Sequence, residues 1–228
     1  MDLHFKMPSA MDLHMYVDRL SKSRLPKEYA EVEYLESSGT QYIDTGWRYD
    51  IGSSSQKKTN YNIQCKCSCS ENYSVFGSRD CFNLRGNNGA MWFRGYTYYS
   101  GYSLQTDVPT GNTPVEWQYN NEILYANGVQ KGELSRSSGS GGDEPIYIFG
   151  RYNPYTGPYC ENMGGTVRIY NFSVSENPAG SPDRVTPIVD LWPCVRKSDG
   201  KPGMYDLVSG NFFVNIGTGE FTTSEEAE

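Results

Sequence analysis

Histidine is nearly absent from this 228-residue chain: His4 and His14 are the two that occur, both close to the amino end. With none elsewhere, neither Ser-His-Asp catalysis nor a mixed Cys-His metal centre is expected in the body of the chain. No apolar run approaches the ~20 residues a membrane-spanning helix requires. The start shows no basic stretch followed by an apolar segment, so the expectation is a soluble chain made in a cytoplasm, with no membrane partner. Basic residues are in deficit as well. There are 20 Lys and Arg against 27 Asp and Glu, a net charge of −7, whereas binding phosphate needs a basic surface; nucleic acid is not an expected partner.

Acidic motifs are also lacking. Retaining glycoside hydrolases of sandwich folds carry alternating acids in a Glu-x-Asp-x-x-Glu run, so that two carboxylates face one cleft. No such run occurs; Glu31 and Glu33, and the pair Asp143 and Glu144, are the nearest clusters and are read as solvated surface. The chain is not expected to be an enzyme. Asp80, Asp107, Asp143 and Asn153 could offer oxygens to calcium, but their spacing matches no metal loop, and neither metal nor cofactor is expected.

Six cysteines are present without a Cys-x-x-Cys pair. Cys65, Cys67 and Cys69 alternate within Tyr61 to Ser70, so on a strand they share one face; Cys81, Cys160 and Cys194 are remote in sequence. They are read as reduced thiols serving as small apolar residues that line a sheet interior.

What the chain has is turns and rings. Gly numbers 24 and aromatics make up 14% of residues, against 37% hydrophobic overall, a balance that favours many short strands over a helical bundle. Period-2 patterns predict strands over Tyr61 to Cys69, Tyr73 to Gly77, Cys81 to Arg85 and Ala90 to Tyr96, with a tight turn at Asn88-Gly89. Further strands are predicted over Trp117 to Tyr119 and Glu122 to Ala126, the latter ending at an Asn127-Gly128 turn. Pro145 to Gly150, Thr166 to Ser175, Thr186 to Trp192, Gly203 to Val208 and Phe212 to Asn215 complete the set. Ser135 to Gly142 has a linker-like composition, yet strand patterns flank it, and it is read as a long exposed loop.

The domain opens at Tyr34 to Gly46, Tyr-Leu-Glu-Ser-Ser-Gly-Thr-Gln-Tyr-Ile-Asp-Thr-Gly. Val32, Tyr34 and Glu36 alternate with Glu33 and Leu35 before a turn at Ser38-Gly39, and the alternation resumes through Tyr42 to Thr45. This stretch resembles the opening strand of a family of concanavalin A-like, laminin-G-like jelly-roll domains that recurs in tail and other structural proteins of bacteriophages and in surface proteins of gut bacteria. Pro193-Cys194 and the segment Arg196 to Phe221 resemble the family's closing segment. Val75 to Arg79, Ile146 to Arg151 and Val167 to Phe172 resemble its intervening strands, in the family's order. The resemblance implies an all-β, concanavalin A-like jelly-roll sandwich of two antiparallel sheets over residues 28–222, followed by an acidic tail, 223–228.

Residues 1–27 stand outside the resemblance and repeat Met-Asp-Leu-His at Met1 and Met11. From Ser9 to about Ser23, Leu13, Tyr16, Val17 and Leu20 fall at i, i+3, i+4 and i+7, which predicts a short helix bounded by Pro8 and Pro26. So short a helix needs a partner for its apolar face, either the chain's own sandwich or another protein. It is read as a docking arm; it lacks the heptads that would specify a coiled coil, and the oligomeric state stays open.

Two loops gather aromatic residues. Trp92, Tyr96, Tyr98, Tyr99 and Tyr102 form one cluster, and Tyr152, Tyr155 and Tyr159 the other. Flat rings recognise sugars and also make good protein contacts, so these eight are the candidate glycan- or partner-binding residues, against the competing role of inward-facing core. Joined to the resemblance, they imply a virion protein assembled in a host cytoplasm, a head or tail decoration, fibre or receptor-binding module. Its arm would meet other virion proteins, and its loops host-surface or mucosal glycans. A carbohydrate-binding adhesin module of a gut bacterium is the alternative, and a glycan depolymerase the third reading.

Overall fold

The computed structural model describes residues 23–49, 59–78, 82–94, 103–120, 122–133, 144–153, 157–159, 165–178 and 185–224. The predicted arm helix, with Leu13, Tyr16, Val17 and Leu20, lies outside the described residues. Among the described residues the chain is all strand and turn, with no helix.

The strands in chain order begin with β1 (Tyr29–Glu31), β2 (Leu35–Ser37), β3 (Ile43–Tyr49), β4 (Thr59–Cys69), β5 (Ser74–Gly77) and β6 (Asn83–Asn87). Next come β7 (Ala90–Arg94), β8 (Ser103–Pro109), β9 (Gly111–Asn120), β10 (Ile123–Ala126), β11 (Val129–Glu133) and β12 (Glu144–Ile148). The last are β13 (Arg151–Asn153), β14 (Gly157–Tyr159), β15 (Val167–Pro178), β16 (Thr186–Arg196), β17 (Lys201–Asp206), β18 (Phe212–Val214) and β19 (Thr222–Thr223).

They form two antiparallel sheets packed as a sandwich, plus the β13-β14 ribbon. The large sheet runs β11-β10-β9-β4-β15-β16-β17-β18, with β1, β2 and β19 joined to it, and the smaller runs β3-β12-β5-β6-β7-β8. Alternation decides what lies between them. In the smaller sheet one row of paired residues, Ile43, Ile148, Phe76, Leu84, Phe93 and Leu104, crosses all six strands and is wholly apolar. In the large sheet Tyr61, Ile63, Cys65, Cys67 and Cys69 of β4 turn the same way, into the core. The expected role of these three cysteines holds: they are buried and unbridged. Rings join the layers, with Phe76 against Phe172 at 5.1 Å and Tyr119 against both Phe82 and Phe93 at 5.2 Å. Burying each such ring stabilises the fold by about 1.5–3 kcal/mol relative to exposure.

Of the two strand pieces expected around the Ser38-Gly39 turn, the one before it, Val32 to Glu36, is not a single strand. The chain leaves strand geometry at Glu33-Tyr34, which resets the period and buries both Val32 and Leu35. The physical reason lies in the neighbours: β15 and β16 pair no further than Phe172↔Leu191 and then part, so β2 pairs with Val167 to Ile169 of one while β1 pairs with Cys194 to Arg196 of the other. Two short pieces fill that wedge where one strand could not. β8 was not legible either; its exposed side alternates Ser103, Gln105, Asp107 and Pro109, with only Thr106 buried between them. The folded unit also extends beyond residues 28–222 at both ends. Leu25 is buried, Arg24 lies over the Trp192 ring at 3.6 Å, and Glu33 N donates to Ser224 Oγ.

The turn after β2 is the junction of the molecule. The buried Ser37 hydroxyl lies 2.9 Å from both Gln41 O and Gln41 Oε1, and 2.6 Å from the Tyr73 hydroxyl, which also reaches Phe149 O. Ser37 belongs to the large sheet, while Tyr73 leads into β5 and Phe149 follows β12 of the smaller one. The closing segment then clasps this turn: Thr40 Oγ1 donates to Thr218 O, Thr218 N to Thr40 O, Ile216 N to Tyr42 O, and Tyr42 N to Asn215 Oδ1. Gly217 permits the approach, since a Cβ there would stand 1.9 Å from Thr40 O.

Ser37→Ala strips the only side-chain hydroxyl between Gln41 and Tyr73 in a buried site, and should cost about 1–3 kcal/mol in denaturant unfolding. A double-mutant cycle with Tyr73→Phe should show clear coupling; additive effects would mean the two hydroxyls do not act together.

Candidate binding face of the six-stranded sheet

One residue along from the apolar row, the smaller sheet shows its other side. Asp44, Tyr147, Gly77, Asn83, Arg94 and Ser103 pair in register across all six strands. A second outward row, Ser74, Arg85, Trp92 and Gln105, crosses β5 to β8. The register between β6 and β7 is set by the two-residue Asn88-Gly89 turn, whose φ values of 51° and 79° suit a hairpin and put Arg85 directly opposite Trp92.

At the β3-β12 end this face is roofed. The Tyr147 ring lies 5.5 Å from Tyr42 and 5.6 Å, edge to face, from Tyr152 of the β13-β14 ribbon, and Arg151 and Asn153 of that ribbon are buried. Burial, followed by the Asp44 charge and hydrogen bond, pushes the Tyr147 hydroxyl up to about 12, so it stays neutral and donates to that carboxylate. Asn83 Nδ2 donates to Ser78 O beneath the roof. Gly77 has no side chain to add to the row. A Cβ there would sit 2.1 Å from Phe82 O, and its φ of 138° excludes other residues without strain.

Toward β8 the face opens. Arg85, Trp92 and Arg94 are half-buried and Ser103 and Gln105 exposed. Arg94 follows Trp92 by two residues on the same strand and Arg85 is paired with Trp92, so both arginines neighbour Trp92 on this side of the sheet. Two buried polar atoms of this row lack any hydrogen-bond partner: Trp92 Nε1 and Ser74 Oγ, the latter on a fully buried residue. Such groups are uncommon in native proteins and call for an explanation. Chemically, the arrangement brings together an apolar ring, an unfilled indole donor and a buried hydroxyl, with two arginines as neighbours.

Of the candidate binding residues, Trp92 faces outward on this sheet and Tyr152 lies in the roof over Tyr147. Tyr159 sits on β14, paired with Arg151, while Tyr96, Tyr98, Tyr99, Tyr102 and Tyr155 lie outside the described residues. Asp44, Ser74, Asn83, Arg85, Arg94 and Tyr147 were not anticipated. The signal for Arg85 and Arg94 was present, since a two-residue turn fixes which residues oppose Trp92 and those that share its side.

The acids nearest to a catalytic spacing are spread apart. Glu31, Glu33 and Glu36 alternate almost as a hydrolase motif does, but the break at Glu33-Tyr34 divides them between strands; Glu31 meets Arg24, and Glu36 pairs with Arg168. Asp107 is ion-paired to Lys131 at 2.8 Å. Among the described residues, no group of three or more His, Cys, Asp or Glu is placed to hold a metal ion. No protein-family model, curated protein or solved structure matches the chain.

Burial also pushes the Cys69 and Cys194 thiols up to about 12 from an ordinary 9.0. Raised folded values mean that the stability these groups contribute is complete below the unfolded-state values of 9.0 for the thiols and 10.0 for Tyr147, and is lost as pH climbs toward 12. Unfolding free energy should therefore be flat with respect to these groups up to pH 9 and fall between pH 9 and 12. Replacing both cysteines by Ala should make the part of that decline that begins near pH 9 shallower, with Cys67, also raised by its hydrogen bond with Cys65 and by burial, supplying the remainder; an unchanged profile would contradict the assignment.

Gly77→Ala should destabilise by about 2–3 kcal/mol in thermal or denaturant unfolding, because the nearest atom is backbone that cannot move aside. A neutral effect would show that the row at Gly77 is looser than described.

Proposed function

We propose that the chain is a bacteriophage virion structural protein whose sandwich is a concanavalin A-like jelly roll, carried on a head or tail as a decoration, fibre or receptor-binding module. Residues 1–22 attach it to neighbouring virion proteins. The open half of the six-stranded face meets host-surface or mucosal glycans. The observation that carries the binding reading is the outward row Ser74, Arg85, Trp92 and Gln105, in which a buried hydroxyl and an indole N–H await partners beside two arginines. Rings stack on sugar faces, and paired guanidiniums favour sugars that carry carboxylate or sulfate groups. No catalytic role is assigned.

The virion reading draws on the resemblance of Tyr34 to Gly46 and of the closing segment to phage structural domains. It is supported by the way those two segments, about 170 residues apart, bind each other through Thr40-Thr218 and Tyr42-Asn215 as one unit. The carboxyl-terminal strand of the described chain lies close by, since β19 pairs with β2.

Gradient-purified particles from the source should contain the chain by mass spectrometry, and removal of residues 1–22 should abolish its incorporation while leaving the sandwich folded. Recovery from the bacterial envelope instead, with particles devoid of it, would favour an adhesin and overturn the virion reading.

A further inference from the structure

The outward side of the large sheet has a chemistry unlike that of the six-stranded face. Tyr125, Gln118, Gln64, Ser173 and Asp190 pair in one row across β10, β9, β4, β15 and β16, and Asn120, Asn62 and Ser175 form the row beside it. Gln118 Nε2 donates to Asn62 Oδ1 at 3.2 Å, so the amides are already held in place. Where the rows reach β16 they border a groove of about 430 Å³ lined by Gln64, Asn171, Ser173, Ser175, Asp190 and Trp192, among others. That volume lies within the range of small-ligand sites.

The walls of the groove are set. Trp192 Nε1 donates to Asp190 Oδ1 at 2.8 Å, and the Arg24 guanidinium covers the indole, so the ring forms a fixed apolar end wall. Asn171 Oδ1 accepts from Lys66 N at 3.3 Å, which orients its amide group. Apart from Asp190, which the indole already engages, the polar lining is uncharged. A solvent-facing sheet usually keeps its solubility with Lys and Glu; here the centre of the face carries amides and hydroxyls instead. These groups cost less to strip of water than ions do, and an amide offers donor and acceptor together. A sugar hydroxyl is likewise donor and acceptor at once.

We propose that this groove is a second binding site, for a neutral oligosaccharide chain lying across β9, β4, β15 and β16. Four strands at 4.7–4.9 Å spacing carry the site over about 14 Å, which suits several linked sugars better than one. The site does not depend on the six-stranded face or on the virion reading: it lies on the opposite sheet and selects uncharged sugars, whereas the arginines around Trp92 select acidic ones.

The test is calorimetric titration of the full chain with neutral hexasaccharides, namely maltohexaose, cellohexaose, xylohexaose and fully acetylated chitohexaose, with alginate oligomers as the acidic probe. At least one neutral hexasaccharide should bind, and Gln64→Lys with Ser173→Lys should weaken it about tenfold or more, while Trp92→Ala leaves it unchanged. Gln118→Lys, a half-buried position further from β16, gives a milder version of the same loss should the double variant not fold. Absence of binding by all four neutral probes, or binding that Trp92→Ala abolishes and Gln64→Lys with Ser173→Lys spares, would overturn the proposal. Alginate binding lost in Trp92→Ala reports on the other face alone.

Discussion

The hydrogen bond between the hydroxyls of Ser37 and Tyr73 is the constraint on which the rest of the sandwich depends. It is short, at 2.6 Å, fully buried, and joins a strand of the large sheet to the entry of β5 in the smaller one. Buried polar groups of this kind add specificity when all are satisfied, because any other register leaves them without partners. Around it, Gln41 closes the turn, and the closing segment fastens over Thr40 and Tyr42 from the far end of the chain. The two sheets are thus aligned by a polar junction while the rings of Phe76, Phe172, Phe93 and Tyr119 supply most of the apolar burial between them. Division of labour of this sort is common: apolar area drives collapse, and a few hydrogen bonds select one arrangement.

That alignment is what gives the smaller sheet two unlike sides. Inside, every residue of the row from Ile43 to Leu104 is apolar; one position along, outside, the row runs Asp44, Tyr147, Gly77, Asn83, Arg94 and Ser103. The β13-β14 ribbon roofs one end of the outer side, while toward β8 Trp92 is half-buried and Ser103 and Gln105 are exposed. A buried hydroxyl and a buried indole N–H without hydrogen-bond partners, as at Ser74 and Trp92, are costly for a fold to keep, and a ligand that supplies the missing partners would offset that cost.

Much of the architecture was legible because strands advertise themselves by alternation and turns by Gly and Asn. β4, β7, β10 and β15 were readable from their patterns, and the inward placement of Cys65, Cys67 and Cys69 followed from spacing alone. β8 was hidden because its inner side carries only Leu104 and Val108, both half-buried, on either side of the polar Thr106, which makes a weak alternation. The bend at Glu33-Tyr34 was hidden because it is imposed by the parting of β15 and β16, which no local pattern records. The candidate face was half legible. Trp92 stood out as a ring, but Tyr147 looked like one more apolar strand residue, and Asp44 and Tyr147 come together only through the pairing of β3 with β12, 103 residues apart in sequence. Ser74 carried no signal at all.

The indole N–H of Trp92 is the most direct witness to the proposed binding face. In the free chain its nitrogen-15 proton resonance should show no strong hydrogen bond; on addition of an acidic polysaccharide purified from the host surface it should shift downfield and saturate. A resonance already shifted in the free chain, or one that ignores every acidic host glycan, would contradict the account.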